Sequence, residues 1–100
     1  MYIIRDIFQL KFGHFKEASA LLNQATEKGL MPQAQQVRVL SDFTGDAYRL
    51  IFEEGWNSLA EYEQSLTGSM RTDDWQKWYG EFKQHVERSH REILKLVSPA

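Results

Sequence analysis

The sequence predicts an α+β fold with an antiparallel sheet, on two observations. Residues 2–12, 33–43 and 47–54 are rich in β-branched and aromatic side chains that alternate with polar ones, which is typical of strands. Between and after these stretches, apolar residues recur every three or four positions, as they do on one face of a helix. A chain of 100 residues has the usual length of one domain, so we expect a single domain over residues 1–100.

Composition excludes several classes of protein. The net charge is −2 and no run of lysine or arginine is present, so nucleic acid is not an expected partner. The chain has no cysteine, which excludes disulfides and cysteine-based metal sites. Its apolar runs are far shorter than the ~20 residues of a membrane span, and Arg5 and Asp6 stand where a signal peptide would be apolar. We therefore expect a cytoplasmic protein with no membrane span and no cofactor.

The first strand and the first helix are predicted from a change of period near Gly13. "YIIRDIFQLKF" (2–12) alternates imperfectly, as a strand that is buried on both faces would. Its more apolar face is interrupted by Asp6 and consists of Tyr2, Ile4, Phe8, Leu10 and Phe12. In residues 13–29 the period becomes helical, and Gly29 stands where a helix often ends. The apolar stripe of this helix consists of Phe15, Ala18, Leu22 and Ala25.

Two strands of a hairpin are predicted next. In residues 33–43, Val37 and Val39 lie on one face of the predicted strand, and Arg38 and Leu40 lie on the other. "FTGD" (43–46) has the composition of a turn. The next stretch should therefore return antiparallel beside the first.

Two further helices are predicted from N-cap signals. Ser58, with Glu61 three residues later, has the spacing of a capping box, and Gly68 ends the helix that follows. Thr72 is the predicted N-cap of the next helix, because acidic residues that complement the helix dipole come directly after it.

The third helix carries an aromatic stripe at helical spacing. Its aromatic members are Trp75, Trp78, Tyr79 and Phe82, and Val86 continues the same spacing. This spacing predicts the buried side of an amphipathic helix. The alternative is a pocket edge at which Trp78 stacks against an aromatic ligand.

The tail leaves two interpretations open. Ile93 and Val97 continue the helical spacing from Val86, which would extend the third helix from Thr72 to the end of this stretch. "EILKLV" (92–97) also has the composition of a short strand.

A resemblance favours the strand. With a terminal strand, the order of elements is that of the ferredoxin-like fold, β-α-β-β-α-α-β with a four-stranded antiparallel sheet. "MYIIRDIFQLKFGHFKE" (1–17) resembles the start of NIPSNAP-type domains: a strand that carries an arginine, an alternating segment that ends in a basic residue, and a glycine turn into the first helix. "EEGWNSLAEYEQSL" (53–66) and "REILKLV" (91–97) resemble the strand-to-helix passage and the closing strand of these domains.

The resemblance implies a homodimer, in which two sheets pair into a dimeric α/β barrel across a two-fold axis. The same superfamily includes the antibiotic-biosynthesis-type monooxygenases. Because the roles of these domains are diverse, the resemblance implies no particular reaction.

One face of the sheet is predicted to carry a polar cluster. If the more apolar face of strand one packs on the helices, Arg5 and Gln9 point toward the partner subunit. Strand three places Arg49 and Glu53 on the same face, and Arg38 of the hairpin is a further candidate. The arginines could bind a carboxylate or an enolate. The alternative is that the arginines and Glu53 pair with one another across the strands.

Histidine spacing predicts no metal site. His85 and His90 are five positions apart, which on a helix points them to different faces, and His14 is distant in sequence. Glu81 and His85 share a helix face, where a solvated pair is expected. His14 follows the end of strand one and is the candidate for a proton-transfer group at the mouth of the barrel.

Two classes of function remain open. The first is a small homodimeric NIPSNAP-like domain that binds a small ligand or a protein partner without chemistry. The second is a cofactor-independent monooxygenase or isomerase, in which the barrel cavity takes a small carboxylated or aromatic substrate and arginines hold developing negative charge. An enzyme would need a cavity of about 300 Å³ or more. The candidate binding residues are Arg5, Gln9, Arg49, Glu53, Trp78 and His14.

Overall fold

Four antiparallel strands and three helices make up the fold, in a computed structural model that describes residues 1–45, 47–68 and 71–98. The strands are β1 (Tyr2–Leu10), β2 (Gln36–Ser41), β3 (Arg49–Trp56) and β4 (Val86–Lys95). The helices are α1 (Phe15–Glu27), α2 (Leu59–Thr67) and α3 (Asp73–Phe82), and a 3₁₀ turn (Lys83–His85) follows α3. The sheet order is β2-β3-β1-β4, which confirms the predicted ferredoxin-like arrangement. Within the described residues, no helix is both long enough and apolar enough to cross a membrane.

Both predicted N-caps are present. The Ser58 hydroxyl accepts a hydrogen bond from the backbone N–H of Glu61 at 3.2 Å, and the Thr72 hydroxyl accepts one from the backbone N–H of Trp75 at 3.2 Å. These hydroxyls satisfy donors that the first turn of a helix leaves without a partner. The starts of α2 and α3 are therefore fixed by local sequence.

The tail is a strand, and it both begins and ends earlier than the sequence indicated, because β4 stops at Lys95 and not at Val97. Helix α3 ends at Phe82. Strand β4 starts at Val86 and pairs with β1, and its last residue, Lys95, lies opposite Tyr2. The continuous helix over residues 72–97 is therefore wrong. Val86 belongs to the strand because its backbone pairs with that of β1. The spacing of apolar side chains along the sequence does not reveal such backbone hydrogen bonds.

The hairpin turn is longer than the predicted "FTGD" (43–46), of which Asp46 lies outside the described residues. Gly45 has φ of 131°, while Ala47 and Tyr48 have φ of 63° and 57°. Positive φ is uncommon for residues other than glycine. Ala47 and Tyr48, at the end of the turn, therefore have a backbone conformation that the composition of the turn did not predict.

The helices pack on one side of the sheet. Helices α1 and α3 enclose the larger core cluster, and α2 places Tyr62 against Ile4 and Trp56. The larger cluster consists of Leu10, Ala18, Leu22, Ala25, Leu50, Phe52, Trp78 and Phe82. Phe12 was predicted to share this side but is 84% exposed, because β1 ends two residues before it.

The opposite side of the sheet carries polar and apolar side chains together. The register places Ile7 opposite Ile51, and Arg5 opposite Glu53, on this side. Leu40 of β2 lies opposite Ile51 and is 39% exposed. We call this surface the open face. The buried side chains of all the helices in the described residues pack against the other side of the sheet.

Candidate functional site

A cavity of about 510 Å³ lies between the sheet and helices α1 and α3. Its volume is in the range of small-molecule sites. Its apolar wall consists of Phe8, Leu22, Met31, Pro32, Leu50, Phe52, Trp75, Trp78, Tyr79 and Phe82. Its polar lining consists of Asp6, Glu54, Gln76, Ser89, His90 and Arg91. The cavity is therefore on the side of the sheet opposite to the predicted cluster of arginines.

The aromatic stripe of α3 forms one wall of this cavity. Trp75 stacks on Tyr79 with ring centroids 6.0 Å apart, and Trp78 stacks on Phe82 with ring centroids 5.1 Å apart. The indole N–H of Trp78 donates to the carbonyl oxygen of Leu21 at 2.7 Å, which ties α3 to α1. Trp78 is 7% exposed. Trp78 is thus a core side chain that also lines the cavity. Both interpretations of the stripe, as the buried side of a helix and as the edge of a pocket, therefore apply to this residue.

Three charged side chains form the polar end of the cavity, one from each of three adjacent strands. Asp6 of β1 lies opposite Arg91 of β4, and the guanidinium Nε of Arg91 donates to Asp6 Oδ1 at 2.5 Å. The guanidinium carbon of Arg91 also lies 5.9 Å from the centroid of the Tyr62 ring, within the range of a cation–π contact. Glu54 of β3 is the third member. The position of the positive charge is therefore fixed by two contacts.

Glu54 is the most buried charged side chain of this end. The residue is 1% exposed, and its Oε1 atom has no hydrogen-bond partner among the described residues. Burial raises the pKa of Glu54 to about 7, and the charge of Asp6 adds to the increase, while the Trp56 indole and Arg91 act in the opposite direction. Near neutral pH this carboxyl group can therefore both accept and donate a proton.

The predicted polar cluster exists on the open face, where its charges are paired with one another. Glu53 accepts from Arg5 Nε at 2.7 Å and from Arg38 Nη2 at 2.5 Å. Arg5 also lies 3.6 Å from Glu92 of β4. Burial alone would raise the pKa of Glu53, but Arg38 and Arg5 outweigh it and hold that pKa below its usual value. Glu53 thus compensates part of the positive charge that an anionic ligand would need.

Arg49 and Gln9 were also predicted on this face, and both form hydrogen bonds with residues of the hairpin turn. Arg49 Nε donates to both carboxylate oxygens of Asp42, at 2.9 and 3.2 Å. The side-chain amide of Gln9 donates to the carbonyl oxygen of Ala47 at 2.8 Å. Arg49 and Gln9 lie opposite each other in the sheet register, and neither lines the cavity.

His14, the predicted proton-transfer residue, lies against His85. Their Nδ1 atoms are 2.9 Å apart, so one ring donates to the other. His85 belongs to the 3₁₀ turn beyond α3, which removes it from the helical register with Glu81 that the sequence indicated. Neither histidine lines the cavity, and no group of three metal-ligating side chains exists within residues 1–45, 47–68 and 71–98.

Sequence reasoning missed the polar end of the cavity, although part of its signal was visible. Asp6 interrupts the apolar face of strand one, and Glu54 follows Phe52 at the next position of the same face of strand three. Two acidic residues at helix-facing positions of neighbouring strands indicate a buried polar site, since buried carboxyl groups are rare without a function or a partner. Arg91 was not accessible in this way because its strand assignment was open.

The elements define a ferredoxin-like α+β protein, and solved structures with the same arrangement exist. An uncharacterized NIPSNAP domain protein from Burkholderia xenovorans has a TM-score of 0.87 at 13% identity, over 100% of both chains. A NIPSNAP family protein from Agrobacterium tumefaciens has a TM-score of 0.84 at 17% identity, over 94% of this chain and 90% of that one.

A structure of another description has the same fold. A putative antibiotic biosynthesis monooxygenase from Nitrosomonas europaea has a TM-score of 0.74 at 12% identity, over 98% of this chain and 100% of that one. No protein-family model and no curated protein matches this chain. The chain therefore has the fold of NIPSNAP domains, and the predicted resemblance is confirmed at the level of fold.

Proposed function

We propose that the chain is a small homodimeric domain that binds a flat, largely apolar molecule in the cavity between its sheet and its helices. The observation that carries this proposal is the cavity itself, about 510 Å³ with an aromatic wall and a charged end. Rings stack on the aromatic wall, while the charged end orients one polar group of the ligand. A molecule with fused rings and one carbonyl or hydroxyl group fits this division.

We expect β-naphthol, a flat molecule with a single hydroxyl group, to bind in the cavity. The chain has three tryptophans, which give three indole N–H signals in a nuclear magnetic resonance spectrum. Trp75 and Trp78 line the cavity and Trp56 does not. A titration should therefore shift the signals of Trp75 and Trp78 to saturation and shift that of Trp56 much less. Equal, unsaturated shifts of all three would contradict binding in the cavity.

A pair of serine variants locates the binding site independently. Ser89 of β4 lines the cavity, so Ser89→Phe should place a ring in its opening and weaken β-naphthol binding by roughly tenfold or more, about 1.4 kcal/mol. Ser98 is exposed beyond β4 and does not line the cavity, so Ser98→Phe should leave the affinity unchanged. Equal affinities of the two variants would place the probe elsewhere.

The open face supports the homodimer. Ile7, Ile51 and Leu40 lie together on it, and it also holds the Arg5–Glu53 ion pair. A surface that combines apolar strand residues with charges paired among themselves is suited to burial against a copy of itself, because a paired charge costs less to bury than an isolated one. A chain of 100 residues also gains from such burial, since small domains bury a small share of their surface.

We expect a dimer at micromolar concentration and a monomer after Ile51→Lys. The lysine would place a charge at the centre of the open face, opposite Ile7, and should weaken association by roughly a hundredfold or more. Sedimentation equilibrium measures this change. Val39→Lys is the matched control, because Val39 lies on the helix side of the neighbouring strand and is already 48% exposed. A monomeric wild type, or a dimer that tolerates Ile51→Lys, would contradict the proposal.

A reaction in the cavity is the second candidate, in the class of cofactor-independent monooxygenases and isomerases. The observation that favours it is Glu54, a buried carboxyl group at the polar end with a pKa raised to about 7 by burial. A group that only holds a ligand does not need this property, whereas a group that moves a proton does.

A further inference from the structure

We infer that Glu54 is a general base, and that the molecule in the cavity is an enolisable carbonyl compound from which Glu54 removes a proton at the carbon next to the carbonyl group. This inference rests on the proposed binding function and adds a reaction to it. It differs from the expectation that arginines on the open face hold the substrate, because the reacting group lies on the opposite side of the sheet.

The first support is the position of Glu54. The side chain lines the cavity, the residue is 1% exposed, and its Oε1 atom has no hydrogen-bond partner among the described residues. A buried carboxylate oxygen without a partner is costly, because it has lost its hydration and gained no hydrogen bond. Glu53 shows the contrasting case one residue earlier, since both of its carboxylate oxygens accept from arginines.

The second support is the charge that surrounds Glu54. Removal of a proton from carbon breaks the C–H bond, and its electron pair forms the new carbon–carbon double bond. The electron pair of the C=O π bond moves onto the carbonyl oxygen. The product is an enolate, and the proton is then on Glu54. Arg91 lines the same end of the cavity and carries the positive charge that stabilises such an oxyanion. Return of the proton to carbon regenerates the ketone, so no co-reactant is consumed.

The third support is the balance of the two carboxyl groups. Asp6 forms an ion pair with Arg91, whereas Glu54 forms no ion pair among the described residues. Burial of Glu54 and the negative charge of Asp6 raise the pKa of Glu54 to about 7. A base with a pKa near the working pH is both present in its charged form and strong enough to take a proton.

The test is hydrogen–deuterium exchange in β-tetralone, a bicyclic ketone whose most acidic carbon lies between the carbonyl group and the aromatic ring. In heavy water, each removal and return of a proton by Glu54 introduces deuterium at this carbon, and nuclear magnetic resonance measures the loss of the proton signal. We expect the protein to accelerate exchange above the rate in buffer. The accelerated part should rise with pH to a plateau above about pH 7, because it follows the ionisation of Glu54.

Two glutamine variants assign the acceleration. Glu54→Gln keeps the size of the side chain and removes the base, so the accelerated exchange should fall by about a hundredfold or more. Glu63→Gln is the matched control, because it makes the same change at an exposed position of α2 that does not line the cavity, and it should leave the accelerated rate within about twofold of the wild type.

Binding is measured in the same samples from the indole signals of Trp75 and Trp78, so that binding and reaction can fail separately. Binding of β-tetralone without accelerated exchange would overturn the role of Glu54 and leave the binding function standing. Acceleration that survives in Glu54→Gln would overturn it as well. Absence of binding by both β-tetralone and β-naphthol would overturn the binding function, and this inference with it.

Discussion

Trp78→Ala should lower the free energy of unfolding by about 3–5 kcal/mol, because it removes a large ring that is 7% exposed. The change also removes the hydrogen bond from the indole N–H to Leu21, which joins α3 to α1, and the stacking contact with Phe82. The cavity beside Trp78 would enlarge, since the rigid sheet cannot close it. Urea denaturation at one protein concentration measures the change as a lower midpoint.

Two further substitutions separate the contributions to this effect. Trp78→Phe keeps a ring in the core and loses the hydrogen bond to Leu21, so it should cost about 1 kcal/mol for the bond and somewhat more for the lost volume. Trp75→Ala removes a half-buried ring from the same wall and should destabilise less while weakening β-naphthol binding. If Trp78→Ala unfolds at the wild-type midpoint, the assignment of Trp78 to the core is wrong.

The parts of the fold that the sequence predicted are those that depend on neighbouring residues. The hydroxyls of Ser58 and Thr72 cap helices a few positions away, and alternation along each strand assigned Arg5 and Glu53 to one face. Alternation is decisive because adjacent side chains of a strand must point to opposite sides. The pairing of Arg5 with Glu53 follows from the same rule once the strands are adjacent.

The parts that the sequence left open depend on pairing between distant segments. Residues 86–91 form a strand because β1 offers them hydrogen bonds, and no local signal near Val86 distinguished this outcome from a continued helix. The contact of His14 with His85 joins residues 71 positions apart. The polar end of the cavity combines β1, β3 and β4, so it could be assembled only after the strand order was known.

The two adjacent glutamates of β3 show how the fold creates a site from similar residues. Glu53 points to the open face, where Arg5 and Arg38 satisfy its charge, and its pKa is lowered. Glu54 points to the helix side, where burial dominates and its pKa is raised to about 7. The difference comes from the alternation of the strand and from the placement of arginines on neighbouring strands, and it leads to opposite effects of pH on stability.

Glu54→Gln should stabilise the protein increasingly as the pH rises from 4.5 to above 7. The folded protein keeps the proton of Glu54 up to about pH 7, whereas the unfolded chain loses it near 4.5. The stability that Glu54 contributes is therefore fully present below pH 4.5 and is lost as the pH rises through about 7. This interval corresponds to about 3 kcal/mol of unfolding free energy. Urea denaturation at one protein concentration across this range measures the gain of Glu54→Gln over the wild type.

Glu53→Gln should show the opposite sign, which makes it the control for this prediction. The pKa of Glu53 is lowered by Arg38 and Arg5 against the effect of burial, so its charged form stabilises the fold above the unfolded value of 4.5. That stabilisation is lost as the pH falls through the lower folded pKa. Glu53→Gln should therefore be less stable than the wild type at neutral pH and approach it in acid. Parallel pH profiles for the two variants would show that the two carboxyl groups do not differ in environment, and the assignment of Glu54 as a buried, unpaired base would be lost.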